Sequence, residues 1–113
     1  MKYPVAIWIH GGAFTFENGD SYGPEKLLEH PVILVTFNFR LGALGFMNTE
    51  DGKIQGNMGL KDQVMALQWV QENIHVFGGD KDQVTLFGIN TGAISAHLHL
   101  ISDMSKGIKH YQC

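Results

Sequence analysis

The chain has 113 residues, enough for one small domain and one core, and its 44% hydrophobic and 17% charged content excludes a disordered chain. A net charge of −3 with no basic block argues against nucleic acid as a partner, and no apolar run is long enough to span a membrane. The single cysteine, Cys113, rules out an intramolecular disulfide and leaves the compartment open.

Fourteen glycines forecast many tight turns. Met1-Lys-Tyr-Pro4 carries no secretory h-region and runs directly into Val5-Ala-Ile-Trp-Ile9. That apolar run, rich in β-branched residues, predicts a strand buried on both faces, as in a parallel sheet. His10-Gly-Gly-Ala-Phe14 follows, and its paired glycines let the backbone turn sharply and expose its N–H groups. Turn formers fill Thr15 to Gly23, and Pro24 to Glu29 is predicted as a short helix with proline in its first turn. Val32 to Asn38 is predicted as a second buried strand, and Phe39 to Gly59 as loop. From Leu60 the period changes: Leu60, Val64, Leu67, Val70 and Ile74 recur at helical spacing, and Gly78-Gly79-Asp80 marks the stop. Val84 to Phe87 predicts a third strand and Thr91 to Ser102 a helix, with Ile94, Leu98 and Ile101 on one face. The tail from Asp103 to Cys113 has weak signals.

The order is β-α-β-α-β-α with buried strands, which implies an α/β fold with a parallel sheet and right-handed crossovers. Ligand sites in such sheets lie at the carboxyl ends of the strands. The turns at Gly11-Gly12 and at Gly88 to Gly92 both fall there, so they are expected to face one another. A strand, a tight turn between two glycines and a helix is the setting of a nucleophile elbow, G-x-S-x-G. Here the elbow glycines are Gly88 and Gly92, and the stretch reads Gly88-Ile89-Asn90-Thr91-Gly92, without the serine.

Segments along most of the chain, in order, resemble the type-B carboxylesterase and cholinesterase family of α/β-hydrolases. They are Pro4 to Phe14, Asn38-Phe-Arg-Leu-Gly42, Gly45-Phe46, Gly56-Asn-Met-Gly-Leu-Lys-Asp-Gln63, Ala66 to Ile74, Phe77-Gly-Gly-Asp80, Val84 to Gly88 and Ser105-Lys-Gly107. The texture is most similar to insect-type esterases. The resemblance implies that residues 1–113 are an incomplete carboxylesterase domain, running from the oxyanion-loop strand through the elbow helix. It implies oxyanion-hole N–H groups from Gly12, Ala13 and Thr91. Such backbone donors, aided by the positive end of a helix, stabilise a tetrahedral intermediate and depend little on the side chains that carry them.

Three departures from the family pattern matter. Asn90 occupies the nucleophile position, and a carboxamide cannot be activated by an imidazole as a hydroxyl is. Asparagine tolerates positive φ, so it is expected to keep the strained elbow while removing its chemistry. Ile89 stands where the family carries a polar or acidic residue. The acid and histidine of the triad lie, in the family, beyond the stretch matched here.

Other polar residues have plainer readings. His10 belongs to the oxyanion turn and reads as structural. His97 and His99 are placed on different faces of the elbow helix, and His99 matches a family histidine expected to pack or hydrogen-bond. His30, His75 and His110 read as loop or helix-end residues. No spacing suggests a metal site, and no cofactor is implied. The glycine spacing at residues 88–92 fits neither nucleotide-binding fingerprint. Thr91 and Ser95 are poor replacement nucleophiles, one off the apex and the other inside the helix. The resemblance implies a partly buried ion pair between Arg40 and Asp62, tying the loop after the second strand to the long helix. Trp8 and Trp69 have core spacing.

By family topology the first strand lies between the second and third, leaving two bare sheet edges that invite association. Three functional readings follow. One is an ester-hydrolase piece, inactive as written, whose complete active form would take a small-molecule ester. Another is a cholinesterase-like module that binds a protein partner without catalysis. The last is a truncated gene product with no function of its own. The resemblance leaves the compartment open, since the family is mostly secreted or in the secretory pathway.

Overall fold

The computed structural model describes residues 2–12, 29–42, 45, 50–51, 56–101 and 111–112. The expected helix over Pro24 to Glu29 lies outside them up to residue 28, as does the turn-rich stretch from Thr15 to Gly23.

Strand β1 spans Tyr3–Ile9 and β2 spans Ile33–Thr36. Helix α1 spans Met58–Asn73 and continues into a 3₁₀ turn over Ile74–Phe77. Strand β3 spans Gly79–Gly88, α2 spans Thr91–Ile101, and a short strand β4 covers Tyr111–Gln112. The strands form one sheet in the order β2-β1-β3-β4, and every pairing is parallel. β1 therefore lies between β2 and β3, as expected. The outer edge of β3 is not bare along its whole length, because β4 pairs with Thr85 and Leu86.

β3 starts five residues earlier than its apolar run. Gly79 pairs with Tyr3, and the regular register resumes at Val5 with Val84. The irregular stretch between them faces Pro4, which has no N–H to give a ladder and so belongs at such a bulge. Within the bulge the Asp82 N–H donates to Asp80 Oδ1 at 2.9 Å. A helix-stop reading of Gly78-Gly79-Asp80 thus holds at Gly78, whose φ of 82° ends the 3₁₀ turn. Gly79 and Asp80 already belong to the strand.

One face of the sheet is fully buried. Val5, Ile7 and Ile9 of β1 and Val84 and Leu86 of β3 are no more than 1% exposed. Leu67, Val70 and Ile74 from the long helical run and Ala96 from α2 join the same cluster. The other face is less enclosed: Trp8 is half-buried and meets Phe87 edge-on at 4.9 Å. Trp69 departs from its expected core position, lying 47% exposed beside Phe77 at 6.0 Å. It falls on the outer side of the α1 stripe formed by Val64, Leu67 and Val70.

The apolar face expected of α2 is not the buried one, although Leu98 is half-buried. Ile94 is 54% exposed and Ile101 72%, whereas the buried positions are Gly92, Ser95, Ala96 and His99. The cause is distance. A Cβ on Gly92 would overlap the backbone oxygens of Ile9 and His10, so the start of α2 lies directly on the end of β1. Only small residues and a flat ring fit beneath a helix held that close.

Candidate functional site

The carboxyl ends of β1 and β3 leave the sheet side by side, with Ile9 paired to Gly88. The turns that follow them touch. A Cβ on Gly11 would come within 2.8 Å of Ile89 O and 3.2 Å of the Asn90 Cβ. A Cβ on Gly88 would come within 2.5 Å of Ile9 O. Glycine at 88 and 92 is therefore dictated by close backbone approach.

Asn90 sits at the apex between β3 and α2 with φ of 57°, in the left-handed region that few residues other than glycine adopt. Its carbonyl starts the helix, accepting from the N–H groups of Ala93 at 3.1 Å and Ile94 at 3.2 Å. Its side chain bends forward, and Oδ1 accepts the Thr91 N–H at 2.7 Å. Asn90 and Ile89 are both exposed. Gly12 stands in the facing turn with φ of 102°. Ala13 lies outside the described residues, so only Gly12 and Thr91 of the three expected donors are placed.

His10 is 1% exposed and stacks on Phe39 at 4.6 Å. Its Nδ1 lies 2.8 Å from Gly11 O. A carbonyl only accepts, so Nδ1 is the donor, and among the described residues the buried Nε2 has no hydrogen-bond partner. The ring braces the β1 turn from beneath, a structural role.

A buried polar network lies behind the elbow. His99 Nε2 donates to Gln63 Oε1 at 2.8 Å, and Gln63 Nε2 donates to Ser95 Oγ at 3.2 Å. Gln63 and Ser95 are fully buried and His99 is 3% exposed. Each hydrogen bond replaces water lost on burial, so the network joins α1 to α2 without an apolar interface. Ser95 is thus a bound structural hydroxyl. Sequence reading missed Gln63, yet the signal was there: Gln63 falls on the stripe continued by Leu67, Val70 and Ile74. His97, on the other side of α2, is exposed, as are His30 and His75. His110 lies outside the described residues.

Arg40 and Asp62 form a two-pronged contact. Arg40 Nε donates to Asp62 Oδ2 and Nη2 to Oδ1, both at 2.7 Å, and the Arg40 backbone N–H reaches Oδ2 at 3.0 Å. The Arg40 side chain is 52% exposed and that of Asp62 21%, so the pair is more open than the partly buried one expected. The guanidinium hydrogen bonds hold the Asp62 carboxyl below its ordinary range against a smaller opposing effect of burial. The same contact raises Arg40.

Among the described residues, no group of three or more His, Cys, Asp and Glu is placed to hold a metal ion. No helix among them is long and apolar enough to cross a membrane. A groove of about 460 Å³ lies away from the two turns, against the edge strand β2, lined by Ile33, Val35, Phe37, Trp69 and Phe77 among others. Its lining has no titratable side chain.

Known proteins resemble the chain along nearly its whole length. The model of the family described as "Carboxylesterase family" matches residues 1–112. A carboxylic ester hydrolase of Bombus ignitus is 50% identical over 105 residues, which are 93% of this chain and 19% of that protein. A juvenile hormone esterase of Tribolium castaneum is 53% identical over 107 residues, 93% of this chain and 18% of that protein. The crystal structure of the juvenile hormone esterase of Manduca sexta, with OTFP covalently attached, superposes with a TM-score of 0.91 at 44% identity. It covers 96% of this chain and 21% of that one. The chain thus spans about a fifth of the length of the relatives it matches.

Proposed function

This chain belongs to the carboxylesterase family, and we propose that its two touching turns are the oxyanion-loop and elbow portion of an ester-hydrolase site that does not hydrolyse esters. The observation that carries this reading is Asn90, held at φ 57° on the apex of the turn between β3 and α2, against the Gly11 turn. An enzyme of this type places its nucleophile at that apex so that the oxygen stands clear of the sheet and next to backbone donors. A carboxamide there keeps the backbone and forfeits the attack, since its nitrogen is not nucleophilic and its oxygen has no proton to lose. Gly12, Ala13 and Thr91 are the donors assigned to the site. Two relatives are a carboxylic ester hydrolase and a juvenile hormone esterase, and a complete form with serine at this position would take a small-molecule ester.

The test is an ester-hydrolysis assay with a chromogenic short-chain ester. The purified chain is expected to give no turnover above buffer. Turnover that survives purification and disappears on changing Thr91 or Ser95 would show a replacement nucleophile and overturn the reading.

A second reading, a non-catalytic module that binds a protein partner, is favoured by the apolar side chains that α2 and its elbow present outward. Ile89, Ile94, Leu100 and Ile101 are each about half exposed or more. On this reading Ile94→Glu and Ile101→Glu abolish association while leaving the melting temperature unchanged. Association that persists in both variants excludes it.

A further inference from the structure

The first turn of α2 leaves little for a ligand to bind. A helix normally presents three or four unpaired N–H groups at its start, and an incoming oxygen is received by them. Here the Gly92 N–H donates to Ile89 O at 2.9 Å, and those of Ala93 and Ile94 both donate to Asn90 O. The remaining donor is the Thr91 N–H, and Asn90 Oδ1 already takes it at 2.7 Å.

We infer that the Asn90 carboxamide is an internal occupant of the elbow, closing the Thr91 donor against external oxygen ligands. The inference rests on the proposed reading of Thr91 as an oxyanion-type donor. An oxygen carried on the adjacent residue needs no association from solution, whereas an external ligand loses translational and rotational freedom on binding. An external carbonyl, neutral like Oδ1, gains no better hydrogen bond in exchange. A carboxylate does gain one, because an N–H bond to a charged oxygen is stronger, but it must still displace Oδ1. Asn90 therefore disables the site twice, by lacking a nucleophile and by filling the donor beside it. A serine hydroxyl ends one bond nearer the backbone than Oδ1, so the two defects share one side chain.

Amide exchange and ¹H–¹⁵N spectra of the chain, with sodium butyrate as the probe, test this. Asn90→Gly is the variant of choice, since glycine accepts φ of 57° and removes the carboxamide. In the unaltered chain the Thr91 amide is expected to be protected and unmoved by millimolar butyrate. In N90G it is expected to exchange roughly tenfold faster, the value of one hydrogen bond of ordinary strength, and to shift with butyrate. Equal Thr91 protection in the two proteins overturns the inference, as does a butyrate shift of equal size in both. If N90G frees the amide and butyrate leaves it unmoved, the internal occupant is confirmed and the oxyanion-donor reading fails. If N90G gives no cooperative melt, Asn90→Asp carries the test. A charged Oδ must then raise Thr91 protection above that of the unaltered chain, and unchanged protection overturns the inference.

Discussion

Helices α1 and α2 join one buried cluster by opposite means. α1 lays large apolar side chains on the sheet: Val64, Leu67 and Val70 are 1–5% exposed, followed by Ile74 at 2%. Each such side chain contributes about 2 kcal/mol by leaving water. α2 contributes Ala96 alone from among its apolar residues and otherwise buries Gly92, Ser95 and His99. Ile94, Leu100 and Ile101 face outward, and Leu98 is half-buried. One helix is held by area, the other by close backbone contact and a polar network. The difference follows from position: α2 must begin where β3 ends, beside the β1 turn, so its distance from the sheet is set by the elbow. The turn fixes that distance and packing adapts to it.

The sharpest way to break this comparison is to push α2 away from the sheet. Gly92→Val adds three carbons where the backbone oxygens of Ile9 and His10 already stand. The neighbours are backbone and cannot rotate aside, so the loss is expected to exceed about 3 kcal/mol. Circular dichroism during urea titration should show no cooperative transition. A midpoint equal to that of the unaltered chain would mean that the close approach is not what holds α2.

On α1 the expected losses track area. Leu67→Ala removes a side chain 1% exposed and should cost roughly 2–5 kcal/mol. Met65→Ala, two residues away and 68% exposed, should stay within about 0.5 kcal/mol. Thermal melts of the pair measure the contrast. Comparable losses would show that the outer face of α1 is also covered.

The network under α2 is the next test. Gln63→Leu takes away both the acceptor of His99 Nε2 and the donor to Ser95 Oγ. It leaves polar atoms buried in place of a hydrogen-bonded chain, at a cost of about 1–3 kcal/mol. Gln63→Leu combined with His99→Leu should cost less than the sum of the single changes, because the two groups serve one another. Strict additivity in a double-mutant cycle would show that they act independently.

The legibility of the sequence divides along the same line. α1, the apolar centres of β1 and β3, and the parallel arrangement were readable, because burial by area leaves a period in the hydrophobic residues. The glycines at 88 and 92 marked a tight turn between strand and helix, and Asn90 stands at its apex with positive φ. The orientation of α2 was not readable from hydrophobicity: Ile94, Leu98 and Ile101 make an apolar stripe, yet steric contact at Gly92 decides which side faces the sheet. β3 was read too short because Asp80 to Gln83 are polar, and their inclusion depends on Tyr3 pairing with Gly79. The hydrogen bond from Thr91 N–H to Asn90 Oδ1 leaves no trace in composition or spacing. It exists only once φ at Asn90 is known.

The smallest effect is expected where α1 meets the loop after β2. Asp62→Ala removes both prongs to the Arg40 guanidinium and the acceptor of the Arg40 backbone N–H. The contact is open to solvent, so screening keeps its worth low, yet its two-pronged geometry places it above a lone surface charge. Asp62→Ala should melt roughly 4 °C lower than Glu72→Ala. Its pH dependence separates it from the apolar changes on the same helix. The folded chain holds the Asp62 carboxyl below its ordinary value of 3.8, so the stabilising effect is full above that value. As pH falls, the unfolded chain takes up this proton first. The advantage therefore shrinks on acidification and vanishes once pH passes the depressed folded value. Arg40, raised by the hydrogen bond to Asp62, stays charged throughout. The gap between the unaltered chain and Asp62→Ala should close at low pH, while the gap for Leu67→Ala persists. If the Asp62→Ala gap holds constant down to acid pH, the carboxylate charge contributes nothing and the role of Asp62 is one of shape alone.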